Sequence, residues 1–181
     1  MAFSKALVRK VRPIRLLILD VDGVMTDGSI IYNDEGVELK VFNVKDGHGI
    51  KLLKRGGVDC AVITSRVSEA VKKRAGELGI ALVYQGALKK ISAYEDILKK
   101  TGLRSDETAF VGDDLVDLPV LRRVGFSVAV QDAVKDVKKI ADYVTGSPGG
   151  KGAVREVVEI ILKIKGKWQD IKKKGFKISR D

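Results

Sequence analysis

The stretch LLILDVDGVMTDG, residues 16–28, joins the pattern of a buried strand to a cluster of carboxylates. Five of its first six residues are apolar, and Asp20, Asp22 and Asp27 lie within eight positions of one another. Carboxylates placed so closely repel one another unless a cation lies between them. The stretch therefore predicts a buried strand that ends at a site for a cation.

Apolar, strand-like runs alternate with helical patterns along the rest of the chain. The predicted strands are residues 14–21, 60–64, 81–84, 108–111, 127–130 and 143–145. The predicted helices are residues 46–55, 66–78, 90–101, 114–124 and 153–165. Strands that are apolar throughout and alternate with helices are typical of a parallel sheet covered on both faces. We therefore predict an α/β fold with a doubly wound, Rossmann-like parallel sheet.

The segment SIIYNDEGVELKVFNV, residues 29–44, departs from this alternation. It has two short strand-like runs around the turn sequence NDEG, which predicts a β-hairpin. This hairpin insertion, residues 28–44, lies between the first strand and the first helix. The segment between Gly28 and Cys60 has room for a hairpin and one helix only, and the segment between Lys90 and Val111 has room for one helix. We therefore predict a single domain over residues 1–181, without a cap domain.

The formal net charge of +10 is concentrated at the two ends of the chain. Residues 1–15 carry five basic and no acidic side chains, and residues 151–181 carry ten basic and four acidic ones. The body between them is balanced, with 19 basic and 20 acidic side chains. No nucleic-acid recognition motif accompanies the charge. Both ends, including a basic tail at residues 166–181, are predicted to be solvated, and no nucleic-acid partner is expected.

Composition also bears on the cellular compartment. The apolar runs have the length of strands, and the N-terminus lacks the apolar core of a signal peptide. The single cysteine, Cys60, excludes a disulfide framework and a cysteine-based metal site. We expect a cytoplasmic protein with no membrane partner.

Chemically reactive side chains follow each of four predicted strands. In a doubly wound sheet, ligands bind at the carboxyl ends of the strands, beside the switch in strand order. The groups at these ends are Asp20 and Asp22, then Thr64, then Lys89 and Lys90, and finally Asp113, Asp114 and Asp117. We therefore predict that these groups meet at one edge of the sheet.

This set of groups suits the cleavage of a phosphate ester. Carboxylate oxygens bind Mg²⁺, the usual cation beside phosphate. An ionised Asp20 can attack phosphorus and form an aspartyl-phosphate, which divides one difficult step into two. Asp22 can protonate the leaving oxygen and then activate water. Thr64 and Lys90 can neutralise charge on the phosphoryl oxygens.

Four motifs resemble, in order and spacing, those of the haloacid dehalogenase superfamily of aspartate-dependent phosphatases. They are DVDGVMTDG, ITSR, the lysine after YQG, and GDDLVD. The resemblance continues through the hairpin, FNVKDGHGI and YVTGSPGGKGAVREV, and covers nearly the whole chain. It points to the cap-less subclass and, within it, to phosphatases of phosphorylated eight- and nine-carbon sugar acids.

The resemblance implies roles for the reactive groups and a homotetrameric assembly. Asp20 is expected to be the nucleophile and an Mg²⁺ ligand, and Asp22 the acid/base that also offers its carbonyl to the metal. Asp113 matches the third metal-binding position, and Asp114 and Asp117 are expected to support the metal shell. Hairpins of several chains could pair into a shared barrel, so that a neighbouring subunit completes the uncapped active site.

The resemblance also implies substrate contacts, and basic groups among them suit a substrate with both a carboxylate and a phosphate. The expected contacts are Asp22, Asn43, Val44, Lys45, Asp46, Gly47, Lys51, Arg66, Arg74 and Lys90. The expected reaction is hydrolysis of 3-deoxy-D-manno-octulosonate 8-phosphate to the free sugar acid and phosphate. Ser65 stands where the family usually has glycine, so a nine-carbon sugar acid 9-phosphate stays open as the substrate.

Three other interpretations are weaker. DVDG also opens calcium-binding loops, but the twelfth loop position, which requires glutamate, is Ile31. A receiver-type phosphoacceptor needs an aspartate after the third strand, where this chain has no carboxylate. The complete set of reactive groups argues against a non-catalytic tetrameric scaffold.

We expect His48 to pack or to contact a substrate hydroxyl, and Trp168 and Phe176 either to dock on a neighbour or to be disordered.

Overall fold

The computed structural model describes residues 3–175, which form a six-stranded sheet and a two-stranded hairpin. The strands are β1 (Leu16–Leu19), β2 (Ile31–Tyr32), β3 (Glu38–Leu39), β4 (Asp59–Ile63), β5 (Leu82–Tyr84), β6 (Thr108–Gly112), β7 (Phe126–Ala129) and β8 (Tyr143–Val144). The large sheet has the order β5-β4-β1-β6-β7-β8, and all of its neighbouring strands are parallel. The predicted α/β fold is confirmed, and no cap domain is evident in the described part of the chain.

Helices connect the strands and cover the sheet. They are α1 (Lys5–Val11), α2 (Val44–Arg55), α3 (Glu69–Leu78), α4 (Lys90–Thr101), α5 (Leu118–Leu121), α6 (Lys135–Ile140), α7 (Ala153–Ile164) and α8 (Trp168–Gly175). Among the described helices, α2 and α7 make the most extensive contact, and α4 packs against α5. Helix α7 is amphipathic because its apolar residues recur at helical spacing, and it buries Val154, Val157, Val158 and Ile161.

Strand β1 lies at the centre of the sheet, and all four of its residues are buried. Its last residue, Leu19, is in register with Val62 of β4 and with Val111 of β6. The hydrogen bond from Asp20 N to Val111 O, 3.1 Å long, continues this register one residue further. Since chain order reverses between β1 and β6, the residues after these strands border the crevice where such folds bind ligands.

The hairpin predicted between β1 and α2 is present. Strands β2 and β3 pair antiparallel, with Ile31 opposite Leu39. Asn33 stabilises the turn because its Oδ1 accepts hydrogen bonds from the N–H groups of Glu35 and Val37, at 3.1 and 2.8 Å. With two residues in each strand, this hairpin makes few hydrogen bonds of its own.

Two helices differ from the sequence prediction. The helix expected over residues 114–124 is a 3₁₀ turn, Leu115–Asp117, followed by the short α5. Asp114 caps that turn by accepting a hydrogen bond from Leu115 N at 2.7 Å, and a proline lies in the first turn of α5. Helix α3 begins at Glu69, three residues later than predicted, because the chain after β4 first forms a loop at the sheet edge.

The basic N-terminal segment is a helix rather than a solvated end. Ser4 caps α1 by accepting a hydrogen bond from Leu7 N at 3.2 Å. Val11 is fully buried, and α1 packs against α7. Charge counting missed this helix because its basic residues lie between apolar ones that face the core. Helix α6 is likewise an addition to the prediction.

Part of the basic C-terminal tail also folds onto the chain. The ring of Trp168, the first residue of α8, lies 5.5 Å from the Arg155 guanidinium carbon and 5.4 Å from Lys163 Nζ. Both basic residues belong to α7, so Trp168 docks on its own subunit. Phe176 and the rest of the tail lie outside the described residues.

Candidate active site

Asp20 is the first residue after β1 and is held in a buried ion pair. Its Oδ2 lies 2.7 Å from Nζ of Lys90, the first residue of α4. Its Oδ1 accepts a hydrogen bond from Val21 N at 2.7 Å. The Lys90 side chain is 1% exposed, so this ammonium group depends on carboxylates rather than water for its stability. The sheet thus brings together two groups that are 70 residues apart in sequence.

Asp117 is fully buried on the other side of Lys90. Its Oδ1 lies 2.7 Å from Lys90 Nζ, and its Oδ2 accepts from the backbone N–H groups of Asp113 and Asp114, at 2.9 and 3.3 Å. A Cβ at Gly112 would lie 2.5 Å from Asp117 Oδ2, so glycine leaves the space this carboxylate occupies. Because both of its oxygens are bonded within the protein, Asp117 orients Lys90 and the loop after β6.

Asp113 has the opposite character, since its Oδ1 is buried and no donor within residues 3–175 reaches it. Asp20, Asp113 and Asp117 each offer a carboxylate oxygen, and these oxygens lie within 4.8 Å of one another. A buried carboxylate oxygen without a donor is costly unless a cation satisfies it. Gly23 has a φ of +84°, and a Cβ there would lie 2.1 Å from Asp113 Oδ2. Glycine at this turn therefore lets the carboxylate approach the backbone.

Burial first, and repulsion between neighbouring carboxylates second, raise the carboxyl pKa values in this cluster. Burial, together with the charge of Asp117, raises the pKa of Asp20 from 3.8 to about 7, although Lys90 opposes the shift. Burial and the charges of Asp20 and Asp117 raise the pKa of Asp113 to about 8. Burial alone would lower the pKa of Lys90, but the two neighbouring carboxylates outweigh it and raise that pKa. Three carboxylates face one ammonium group, and a divalent cation would offset the difference.

An open pocket of about 240 Å³ lies over this cluster. Thr64, buried directly after β4, lines it together with Ser65, whose Oγ donates to Ala87 O at 3.4 Å. Typical ligand pockets measure about 300–1,000 Å³. The space suits a phosphoryl group, whereas the remainder of a larger substrate would extend from the open side. Lys89 is exposed, in contrast to Lys90.

The three aspartates of the opening stretch have different surroundings. Asp20 lies in the buried cluster. Asp22 lines the pocket and forms an ion pair with Lys40, which follows β3 of the hairpin. Asp27 is exposed and accepts a hydrogen bond from Ser29 N at 3.1 Å, so it serves the turn after the site rather than the cluster.

A chain of alternating charges connects the hairpin to the site. Lys40 Nζ lies 3.4 Å from Glu38 Oε1, and the same oxygen lies 2.7 Å from Nη2 of Arg66. Arg66, one of the predicted substrate contacts, also lines the pocket. Sequence reasoning missed Glu38 and Lys40. Their signal was the alternation in VELKV, which places two charged residues on one hairpin face and three apolar residues on the other.

Two of the predicted substrate contacts are helix caps. Asn43 caps α2, since its Oδ1 accepts from the N–H groups of Lys45 and Asp46, at 2.8 and 3.3 Å. The buried Asp46 carboxylate accepts from Gly152 N at 3.2 Å and from Arg155 N at 2.7 Å, which caps α7. Burial raises the pKa of Asp46, although these bonds act against the shift. Asn43 Oδ1 and both carboxylate oxygens of Asp46 thus already accept hydrogen bonds from backbone N–H groups.

The remaining predicted contacts lie on or beside α2. A Cβ at Gly47 would lie 2.1 Å from Nη2 of Arg74. Arg74 also lies over the ring of Phe42, 5.9 Å from its centroid, and its Nη1 is 3.0 Å from Glu77 Oε2. It therefore packs between α2 and α3. The other residues are exposed on α2 and do not line the pocket: Val44, Lys45, His48 and Lys51.

A second glycine-rich loop supports the segment after β1. Gly150 N donates to Val24 O at 2.9 Å. A Cβ at Gly149 would lie only 1.8 Å from Gly23 O. The two backbones therefore touch, and side chains at this contact would displace the turn that carries Asp22.

Known proteins resemble this chain in sequence. The sequence profile of the haloacid dehalogenase-like hydrolases matches residues 63–157. The chain is 46% identical to 3-deoxy-D-manno-octulosonate 8-phosphate phosphatase KdsC of Escherichia coli K12 over 169 residues, which cover 93% of this chain and 90% of that protein. The chain belongs to the haloacid dehalogenase-like hydrolases. It is a phosphatase, a phosphoric monoester hydrolase.

Solved structures agree with this assignment. The phosphatase of the same name from Moraxella catarrhalis, in complex with a magnesium ion, a phosphate ion and KDO, has a TM-score of 0.93 and 40% identity, covering 96% of this chain and 99% of that chain. The Yersinia pestis phosphatase has a TM-score of 0.90 and 44% identity, covering 92% and 90%. The predicted superfamily, fold class and enzyme class of this hydrolase are confirmed.

Proposed function

We propose that this phosphatase hydrolyses 3-deoxy-D-manno-octulosonate 8-phosphate to the free sugar acid and inorganic phosphate, with Mg²⁺ as cofactor. The observation that carries the proposal is the buried cluster of Asp20, Lys90, Asp113 and Asp117 beneath a pocket of phosphoryl size. The identity to the Escherichia coli enzyme and the ligands of the Moraxella catarrhalis structure support the substrate and the metal.

Asp20 and Asp113 are the side chains that fit Mg²⁺, and the backbone carbonyl of Asp22 is proposed as a further ligand. The buried, unpaired Oδ1 of Asp113 and the excess of carboxylates over ammonium groups support this set. Asp117 suits direct ligation less well than Asp20, because it is fully buried, does not line the pocket, and its two oxygens already take part in three contacts. When bound, the cation offsets negative charge on the phosphoryl oxygens and the carboxylates.

The residues of the cluster account for a two-step reaction. Asp20 attacks phosphorus, and the ester bond breaks as Asp22 gives a proton to the leaving oxygen. Asp22 then accepts a proton from water, which attacks the aspartyl-phosphate and releases phosphate and Asp20. Lys90 holds Asp20 in place and, with the Thr64 hydroxyl, neutralises the transferring oxygens. Asp114 is exposed and bonded to its own turn, so we propose a supporting role for it.

We also propose a homotetramer in which a neighbouring subunit completes the active site. The hairpin exposes Ile31, Val37, Leu39 and Val41 on one face. Contiguous exposed apolar groups indicate an interaction surface, and unpaired strand edges favour pairing with another chain. The pocket is open on the side where the sugar acid would extend, so a neighbour's surface there would shape the substrate site.

Location and other partners stay predictions. Within residues 3–175, no helix has both the length and the apolar character that a membrane crossing requires. The basic ends raise the formal charge to +10, but the two described parts of these ends pack on α7 as helices. A cytoplasmic enzyme without a nucleic-acid partner remains our expectation.

The test is phosphate release from a panel of phosphorylated sugars, with Mg²⁺ or with EDTA. We expect the highest kcat/KM for 3-deoxy-D-manno-octulosonate 8-phosphate, with activity lost in EDTA and restored by Mg²⁺. Nine-carbon sugar acid 9-phosphates and hexose 6-phosphates serve as the comparison substrates. Preference for a nine-carbon acid would overturn the substrate and keep the chemistry. Absence of hydrolysis throughout the panel would overturn the proposed function.

A further inference from the structure

We infer that Lys40 is a positioning residue for Asp22, and that the hairpin thereby sets the orientation of the acid/base group in its own subunit. The inference rests on the proposed function, since it assigns a role to the partner of the proposed acid/base. The location of Lys40, its burial and the charged residues around it support this role.

Lys40 differs from the rest of the hairpin in its burial. Residues 30–37 and Leu39 are exposed, whereas the Lys40 side chain is 2% exposed. An ammonium group removed from water must be compensated by paired charges. Here the partners are Asp22, 18 residues earlier in the chain, and Glu38 on the same hairpin. Lys40 therefore anchors the hairpin to the turn that carries Asp22.

The two faces of the hairpin differ in composition and in contacts. Alternation along the strand puts Glu38 and Lys40 on one face, and Leu39 with its opposite residue Ile31 on the other. The charged face contacts Asp22 and Arg66. The apolar face is free to contact other chains. A substitution on one face can therefore be made without removing the contacts of the other.

The contact with Asp22 explains why such an anchor matters for the reaction. Lys40 binds Oδ1 of Asp22, which fixes the side-chain orientation and leaves the second carboxylate oxygen for proton transfer. When Asp22 gives its proton to the leaving oxygen, the Asp20–phosphorus bond forms and the ester bond breaks. The resulting Asp22 carboxylate then lies beside the Lys40 ammonium group. A carboxyl group displaced by about 1 Å loses much of its catalytic effect.

The test compares Lys40→Met with wild type on substrates with different leaving groups. A sugar alkoxide needs a proton to leave, whereas 4-nitrophenolate leaves without one. We expect Lys40→Met to lower kcat/KM for the sugar acid phosphate about 10- to 100-fold, mainly through kcat. This loss is smaller than the roughly 10²- to 10⁴-fold contribution of general acid catalysis, because Asp22 itself is retained. The kcat/KM toward 4-nitrophenyl phosphate, which reports only the step that releases the leaving group, should fall by less than about threefold. Its kcat also falls where the second step, in which Asp22 accepts a proton from water, limits turnover. Lys40→Arg, which keeps a cationic donor, should recover part of the loss.

The controls separate positioning from folding and from assembly. Lys72→Met removes the same side chain from an exposed position of α3 and should leave all rates unchanged. Light scattering should give the wild-type mass for Lys40→Met. With Asp22→Asn already present, Lys40→Met should cost almost nothing further, because the two residues act as one unit.

Equal losses of kcat/KM on both substrates, or losses that multiply in the double variant, would overturn the inference and indicate that Lys40 supports only the structure. Its failure is distinct from failure of the proposed function, which depends on wild-type selectivity in the sugar panel. The leaving-group comparison works with any alkyl phosphate that the wild-type enzyme hydrolyses.

Discussion

The buried cluster around Lys90 and the hairpin contain similar numbers of charged residues but differ in how those residues are buried and bonded. Around Lys90, the carboxylates of Asp20 and Asp117 are buried and bonded to groups that follow other strands, so the surrounding sheet holds the geometry. The hairpin has two residues in each strand and exposes almost every side chain. So short a hairpin is marginally stable by itself. We therefore expect one subunit to hold the phosphoryl group, and the shaping of the substrate site to depend on what the hairpin contacts.

The largest expected effect concerns the cluster. Asp20→Asn keeps the shape of the side chain and removes the nucleophile, so phosphate release should fall by at least about 10³-fold. Assembly should be unchanged, because the hairpin lies outside this ion pair. Steady-state turnover and light scattering on the same preparation check both statements. Substantial activity in this variant would contradict an aspartyl-phosphate and remove the main contrast between the two regions.

An intermediate effect is expected from the apolar face of the hairpin. Leu39→Glu places a charge on the proposed contact surface and spares the residues that anchor the hairpin to Asp22. We expect monomers, and a drop of about tenfold in kcat/KM for the sugar acid phosphate, mainly through KM, because the substrate loses its neighbour-supplied surface. Hydrolysis of 4-nitrophenyl phosphate should change little, since the cluster is intact.

Val144→Glu is the matched control for this substitution. It introduces the same charge at an apolar edge-strand residue of similar exposure, 39% against 47% for Leu39. The control should keep the wild-type mass and activity. A Leu39→Glu protein that stays tetrameric would show that the hairpin is not the assembly surface. The KM effect also distinguishes this variant from Lys40→Met, whose loss is expected in kcat.

The smallest effect is on stability as a function of pH and metal. In the metal-free protein, the pKa values of Asp20 and Asp113 are raised from 3.8 to about 7 and about 8. Between about pH 4 and pH 8 the folded state therefore holds protons that the unfolded chain has lost. Stability should fall as pH rises through this window. Because Mg²⁺ binds the ionised carboxylates, it should raise the melting temperature by a few degrees more at pH 8 than at pH 5.

Thermal melting with EDTA or Mg²⁺ at these two pH values checks that sign. Asp113→Asn removes one of the titrating groups and a proposed ligand, so it should weaken both the pH dependence and the Mg²⁺ effect. An equal Mg²⁺ shift at both pH values would indicate that the cation binds elsewhere, and the cluster would then owe its geometry to protein contacts alone.

Much of the cluster was predictable from sequence because strand ends in a doubly wound sheet have fixed positions. Asp20 and Thr64 directly follow apolar runs, Asp113 follows Gly112 at the end of β6, and Lys90 begins the helix after β5. Parallel pairing brings residues after such strands to one edge. The structure also agrees with the hairpin prediction, since its turn sequence is local. Asp117 was assigned to the right region, but its direct bonds to Lys90 and to the backbone of the next loop depend on side-chain geometry.

The residues that sequence reasoning misjudged are those whose partners are remote in the chain. Asp46 accepts from the backbone of α7, more than 100 residues later, so its buried capping contact has no local signal. The basic N-terminal segment, predicted to be solvated, folds because α7 offers it an apolar surface. Lys40 was overlooked because a lysine in a polar hairpin is normally exposed, and nothing nearby in sequence indicates its buried partner.

The sequence by itself determined the class of fold, the edge of the sheet at which the candidate site lies, and the polar groups found there. These follow from periodicity and from the direct succession of apolar strands and polar strand ends, which are local properties. Tertiary structure decided which two carboxylates bond to Lys90, which oxygen of Asp113 is left for a cation, and which hairpin residue anchors Asp22. Those outcomes depend on packing between segments far apart in sequence, where a displacement of about an ångström changes which atoms can bond.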